Sequence, residues 1–342
     1  MERYILTIDS GTSNTRAVLW DLDRHVVDME KSGVGVRCTA ADGHNGRLKE
    51  AVRGCLEELL RRNAASWEQV ERVMASGMIT ADVGLVEVPH VTAPAGLEEL
   101  SASLAPVLVP DVCPLPIHFI PGVKNRVSGV SIETFEAMDI MRGEEVEACA
   151  LIDRLGVRGE AVLVLPGSHT KFVSVGADGR IAGCLTTITG ELLASIMHDT
   201  IIADSVKRTF VEADTYRREM VLRGYRAARE VGLSRACFSG RILNQFAVKD
   251  HTLIANFILG AALQNDLYAL RHSTAIACGP DARVIVAGKS PFREAFADLM
   301  EREGCWRSVR SYEPEGGAPL SALGAYLLAE ASLAKEAEKK GK

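Results

Sequence analysis

Apolar and polar positions change their period several times along the chain. Over the first forty residues they fall in short blocks. "YILTID" and "RAVLWD" each read as strand, and "LDRHVVDMEKSGVGV" adds a turn and a further strand, so the chain opens as a β meander. Leu48, Val52, Cys55, Leu56, Leu59 and Leu60 then recur at helical spacing and predict an amphipathic helix over 47–62. "VERVMASGMI" reads as a buried strand, "PAGLEELSASL" as a helix entered through Pro and Gly, and "IHFIPGV" as strand and loop. Between 124 and 142 the periodicity weakens, which places a domain junction there and divides the chain into 1–130 and 131–342. "EEVEACALIDRLG" is helical, and "AVLVLPGSHTKFVSVGADGRIAGCLTTITGELLASIM" returns to strands. "ARVIVAGKSPFREAFADLMEREG" reads as strand, glycine turn and helix, with Ser290 as N-cap, Pro291 at the first helical position and Gly304 as the stop. In "PLSALGAYLLAEASLA", the last helix, Gly324 and Ala325 permit close packing; "KEAEKKGK" reads as a frayed, solvated end.

One pattern occurs twice. The first copy runs strand, Asp9-Ser10-Gly11-Thr12, Arg16, strand "AVLW", then Asp23 and "HVV". The second runs strand "VLVL", Pro166-Gly167-Ser168, Thr170-Lys171, strand "FVSV", then Asp178-Gly179 and "IAG". With one residue of gap the two superimpose: an apolar run, a glycine-hydroxyl turn, a cation, and two more apolar runs. This predicts a duplicated hairpin, one per half.

Composition sets bounds on the function. The 342 residues are 47% hydrophobic and 25% charged, which suits a globular chain of two ordinary domains. A net charge of −6 gives no general attraction to nucleic acid or an anionic membrane. The start lacks the pattern of a signal peptide, and no run reads as membrane-spanning. Eight scattered cysteines without a C-x-x-C pair argue against a disulfide framework or zinc site and for a reducing cytoplasm.

The candidate chemistry lies in the turns. A tight turn of Gly and Thr offers backbone N–H groups and a hydroxyl around a concavity that suits phosphate oxygens. Asp9, ending its strand, can hold Mg²⁺ through water, and Arg16 can neutralise charge. Two such hairpins facing each other would grip a nucleotide's phosphates from both sides. "GKS" at 288–290 imitates a P-loop, but the required Gly is Arg283; no dinucleotide fingerprint or serine-hydrolase elbow is present. In "MRGEE", Arg142 can pair with a carboxylate and Glu144 or Glu145 can accept a hydroxyl proton, although acids also simply suit a helix start. Thr189 reads as an N-cap with Glu191 in the first turn, and His169 can reach a phosphate from its loop or serve packing alone.

Taken together, "IDSGTSNTRAVL", "IPGV", "MRGEE", "LPGSHTKFV", "TITGELL" and "VAGKSPFREAF" resemble the 2-keto-3-deoxygalactonate kinases of the actin-like ATPase and sugar kinase superfamily, nearly end to end. The resemblance implies an α/β fold of two actin-like (ribonuclease H-like) domains with a nucleotide cleft between them. The first would carry the acceptor site. It implies ATP- and Mg²⁺-dependent phosphorylation of a hydroxyl on a 2-keto-3-deoxy sugar acid in the cytoplasm, and it admits a homodimer. Carried over by position, Asp9, Gly11, Thr12, Asn14 and Arg16 form the first phosphate motif. Gly167, Ser168, His169, Thr170 and Lys171 form the second, and Gly288 opens the adenosine-side turn. Asp9 would help hold the metal and Glu144 would serve as the base, with Glu145, Glu191 or another acid as the alternatives. Ser10 stands where the family has Trp, and His90 where it has Tyr, which would reshape the acceptor pocket. A kinase for another sugar acid or sugar, and a non-enzymatic actin-like nucleotide switch, remain the alternatives.

Overall fold

The computed structural model describes residues 2–313 and 317–340. Its first half contains β1 (Tyr4–Ser10), β2 (Thr15–Trp20), β3 (Val26–Ser32), α1 (Arg37–Asp42), α2 (Gly46–Arg62), β4 (Val70–Gly77), β5 (Val91–Thr92), α3 (Leu97–Ala102), β6 (Ala105–Leu108), β7 (Pro116–Phe119) and β8 (Val123–Lys124). After β9 (Ile140–Met141) and α4 (Glu144–Leu155) come β10 (Ala161–Leu165), β11 (Thr170–Val175), β12 (Ile181–Thr187), α5 (Thr189–Asp199) and α6 (Ala203–Val206). The chain continues through α7 (Arg218–Val231), α8 (Leu233–Phe246), α9 (His251–His272), β13 (Arg283–Val286), α10 (Phe292–Glu303), β14 (Ser308–Ser311) and α11 (Leu320–Lys340).

The two large sheets have one plan. The first is ordered β3-β2-β1-β4-β7-β6 and the second β12-β11-β10-β13-β14. In each, three antiparallel strands are followed by two parallel ones, and the first sheet adds β6 antiparallel at its edge: β1 pairs antiparallel with β2 and parallel with β4, as β10 does with β11 and β13. This is the strand order of the ribonuclease H-like unit, and the duplicated hairpin is its first two strands. The register supports the proposed superposition, because Asp9 lies opposite Arg16 and Leu165 opposite Lys171. Both central strands are covered on two faces, which explains their unbroken apolar runs. In β1 every residue is buried except the partly open Asp9.

The amphipathic helix forms as its spacing predicts, over Gly46–Arg62, with all six named apolar residues buried. Arg61 and Arg62 complete its last turn, where cations favour the dipole, and Arg62 pairs with Asp28 and Glu30 of β3. A continuous core joins the halves. Trp20 of the first sheet packs on Tyr326 of α11 with ring centroids 5.1 Å apart, and the same cluster takes in Val146 of α4 and Leu163 of the second sheet. A Cβ at Gly324 would overlap the Val146 carbonyl, so α11 and α4 pack backbone to backbone there.

Several local expectations are corrected. Pro291, not Ser290, occupies the N-cap of α10, which has no side-chain cap; Gly304 does end that helix, in the left-handed region. Thr189 does not cap α5 but is its first residue, with Ile188 as cap. The C-terminal tail is no frayed end as far as Lys340, because α11 continues through it and Glu336 pairs at 2.9 Å with buried Arg72. Of the tail, 341–342 lie outside the described residues. Among the described residues one helix, α9, is long and apolar enough to cross a membrane, but most of it is buried within the protein. All eight cysteines are free thiols.

Candidate active-site cleft

A cavity of about 790 Å³ opens between the two sheets, of the size small-molecule sites have. From the first half it is lined by Asp9, Gly11, Thr12, Arg16, Gly77 and Met78, and from α4 and its approach by Arg142, Gly143, Glu144 and Glu147. Gly167, Ser168 and His169 of the second hairpin face it from the other side, as do Gly288, Lys289 and Ser290 beyond β13. The two hairpin turns therefore meet across one space. Gly288, Lys289, Ser290 and Glu147 also line an adjoining cavity of about 360 Å³ reaching Arg293 and Glu313.

Each turn is held from behind by the start of the helix that follows its third strand. In the first, the carbonyls of Gly11 and Thr12 accept from the N–H groups of Val36 and Arg37 at 3.0 Å. In the second, Ser168 O accepts from Glu191 N–H at 3.1 Å. The contact is so close that only glycine fits: a Cβ at Gly35 would lie 2.6 Å from the nitrogens of Ser13 and Asn14, and one at Gly190 would overlap Gly167 O. With these carbonyls engaged behind and the Gly11 N–H held by Asn14 O, the remaining N–H groups of the turns can face an anion in front.

Asp9 Oδ2 accepts from Ser321 Oγ at 2.8 Å. Burial raises the Asp9 pKa, against the Ser321 bond and the charge of Arg16. The Arg16 Nε is buried without a partner, so this guanidinium retains donor capacity at the cleft wall. No group of three or more His, Cys, Asp or Glu among the described residues is placed to ligate a metal directly.

The acids of "MRGEE" part company. Glu144 lines the cavity, with Oε2 accepting from the Arg142 backbone N–H at 3.1 Å. Glu145 turns into the core, fully buried; Oε2 accepts from Gly143 N–H at 2.7 Å while Oε1 has no partner. Burial, and then the charge of Glu144, push its pKa up to about 8. Glu145 is therefore remote from any acceptor hydroxyl in the cavity. Glu147, three residues past Glu144 on the same helical face, does line the cavity, and burial raises its pKa to about 8. That i, i+3 spacing was the signal for Glu147, and the sequence reading missed it.

Arg142 reaches the cavity wall but is largely engaged by the first half. Its Nη1 donates to Thr80 O at 2.8 Å and Thr80 Oγ1 at 2.7 Å, and its Nη2 to Val88 O at 3.0 Å and His90 Nδ1 at 3.3 Å. It holds segment 80–90 in place. Burial and the Arg142 charge lower the His90 pKa to about 4, and its Nε2 is buried without a partner. Ser10 does not open a pocket: it is fully buried with its hydroxyl 2.8 Å from Thr15 Oγ1, which donates to Val34 O.

Other expected residues lie outside the cavity lining. Lys171 is buried and donates to Ile140 O and Thr186 Oγ1, so the cation of the second hairpin serves the fold. Thr170 is fully buried beneath the turn. Asn14 supplies a carbonyl to Gly11 N–H within its own turn, and Glu191 stands exposed with Oε1 3.3 Å from His169 Nε2. Ser321, 312 positions from its partner Asp9, gave no local signal. Neither did Phe210, Val211 and Glu212, which close one side of the cleft.

Two ribonuclease H-like units facing each other across a cleft define the actin-like class of α/β folds. The sequence model of the 2-keto-3-deoxy-galactonokinase family matches residues 9–315, and the chain belongs to that family. A curated relative, "Probable 2-dehydro-3-deoxygalactonokinase DgoK1" of Rhizobium meliloti (strain 1021), is 29% identical over 213 residues; the match spans 62% of this chain and 61% of the relative. Among solved structures, a Sinorhizobium meliloti protein bearing the 2-dehydro-3-deoxygalactonokinase designation superposes with a TM-score of 0.72 at 23% identity, covering 97% of this chain and 99% of that one.

Proposed function

We propose that the protein is an ATP-dependent kinase that phosphorylates a hydroxyl of a 2-keto-3-deoxy sugar acid, with 2-dehydro-3-deoxygalactonate as the leading acceptor. The observation that carries this reading is the meeting of two equivalent hairpin turns, Gly11-Thr12 and Gly167-Ser168, across a cavity whose wall also holds Asp9 and Glu144. Family membership supports the acceptor class.

In this reading the turns bind the ATP phosphates through backbone N–H groups, with Arg16 adding charge. The adenosine extends past Gly288 toward the adjoining cavity. Asp9 is a hard oxygen donor at the cavity wall and suits Mg²⁺ held through water, which would supply charge neutralisation at the phosphates. Glu144 orients the acceptor hydroxyl and takes its proton as the oxygen attacks the γ-phosphorus in line. Positioning and charge stabilisation carry most of the rate in such transfers. Arg142 fixes segment 80–90 and through it the acceptor side. The eight free thiols suit a reducing compartment such as the cytoplasm.

The test is ADP release from ATP with a panel of 2-keto-3-deoxy acids, aldonates and aldoses, using wild type and Glu144→Gln. The reading expects release that depends on a 2-keto-3-deoxy acid and falls about a hundredfold or more in Glu144→Gln, with nucleotide binding retained. Slow hydrolysis indifferent to every acceptor would instead indicate a nucleotide switch. Near-normal turnover in the variant would move the base to another acid.

A further inference from the structure

The second hairpin turn has an anchor that the first lacks. Thr15 and Thr170 occupy equivalent places, each opening the strand that follows its turn. Beneath the first turn, Thr15 is satisfied by Ser10 and by the Val34 carbonyl. Beneath the second, the equivalent space holds a carboxylate, Asp266, from the middle of the apolar helix α9. Asp266 is fully buried, and its Oδ1 accepts a hydrogen bond from Thr189 Oγ1. Its Oδ2 has no other partner, and neither do the buried hydroxyls of Thr170 and Thr187. Burial raises the Asp266 pKa to about 6, against the Thr189 hydrogen bond and the nearby Thr187 and Thr170 hydroxyls, which favour the charged form. The carboxylate thus makes one hydrogen bond, to Thr189, and keeps a buried oxygen without a partner, as the Thr170 and Thr187 hydroxyls are.

The three threonines are not scattered. Thr170 begins β11 immediately after the turn, Thr187 ends β12, and Thr189 begins α5. They are the three places where the chain enters or leaves the immediate surroundings of Gly167-Ser168. Gly190, next to Thr189, lies against Gly167 O with no room for a Cβ. Displacement of Thr189 would thus be transmitted directly to the turn.

We propose that Asp266 is a positioning residue for nucleotide binding: by holding Thr189 on a buried carboxylate, it sets α5 and the adjoining second hairpin turn at the distance at which the turn's N–H groups can meet phosphate. This inference rests on the reading of that turn as a phosphate site. It touches neither the acceptor side nor Glu144, so its removal acts on one substrate selectively.

The experiment compares Asp266→Ala, Asp266→Asn, Thr189→Val and Gly167→Val by the KM for ATP, the KM for 2-dehydro-3-deoxygalactonate, kcat and melting temperature. Asp266→Ala is expected to raise the ATP KM about tenfold or more, because sub-ångström misplacement of binding groups carries penalties of that order, and to leave the acceptor KM within about threefold. Asp266→Asn is expected to restore the ATP KM to within about threefold of wild type, since its amide oxygen still accepts from Thr189 and its NH₂ can donate to the other hydroxyls. Thr189→Val shifts the ATP KM in the same direction by a smaller factor, and decides the matter if Asp266→Ala does not fold. A fall in melting temperature with the ATP KM unchanged, or equal losses toward both substrates, would overturn the proposal. Gly167→Val separates the two levels. If it leaves the ATP KM unchanged, the phosphate reading of the turn fails; if it raises it while Asp266→Ala and Thr189→Val do not, only the positioning role fails.

Discussion

Glu144, Glu145 and Glu147 leave the first turns of α4 with three different fates, and the difference is titratable. Glu145 has an ordinary pKa of 4.5 when unfolded and about 8 when folded, because it is buried with one oxygen unpartnered. Between those values the folded state binds more protons than the unfolded one, so this group's stabilising effect is full below about pH 4.5 and lost as pH rises through about 8. Glu145→Gln is expected to flatten the fall in melting temperature across that window, readable in a pH series of thermal melts; an unchanged slope would mean the carboxyl is not the source. At Asp9 the sign of a second prediction is equally defined. The Ser321 hydroxyl lowers the Asp9 pKa, so Ser321→Ala should move the acidic limb of the kcat/KM profile to higher pH. A limb that stayed in place would remove Asp9 ionisation from the rate. The charge cluster could be read from "MRGEE", but the division of labour within it could not. That division depends on which face of α4 meets α11, and the contact lies far off in the chain.

The elements themselves were largely legible. The hairpins, the helix over Gly46–Arg62 and the strand-turn-helix near the end all announce themselves by local periodicity. The misassignments were at ends, and the stretch in which α6, α7, α8 and α9 form drew no reading from its pattern. Thr189 looked like a cap because cap residues and buried hydroxyls share a composition, and only Asp266, 77 residues on, decides between them. Lys171 looked like a phosphate cation for the same reason, until Ile140 O and Thr186 took its donors. Gly324 was correctly marked as a packing residue, and its partner is the carbonyl of Val146. Gly324→Ala therefore has to push α11 off α4 and is expected to cost about 1–3 kcal/mol, measured by urea denaturation. A variant as stable as wild type would show that these helices have slack.

At the scale of the molecule, α11 is the tie. It contributes Ser321 to the cleft at one end, packs Tyr326 on Trp20, and near its other end gives Glu336 to Arg72, which is 6% exposed and also lies 2.7 Å from His118 Nε2. Removing residues 335–342 would strip the carboxylate from a buried guanidinium. Since Glu336 is itself half-exposed, the expected loss is about 1–3 kcal/mol rather than the full value of a buried pair, again by urea denaturation. An unaffected midpoint would reduce the C-terminal segment to an ornament. The duplicated hairpin foretold that the halves would match, but nothing local foretold that the last helix would return to the first sheet.

The match between halves has its own consequence. Two like units facing each other would, if chemically identical, offer a bound molecule two equivalent orientations. Here the backbones repeat while the side chains at matching places do not: Asp9 and Arg16 on one side stand against Leu165 and a buried Lys171 on the other. Of the two hairpins, only the first brings an acid and a cation to the cavity lining. A pseudo-twofold cleft thus carries a polarity at its hairpins, and in the proposed kinase a triphosphate would meet two unlike turns.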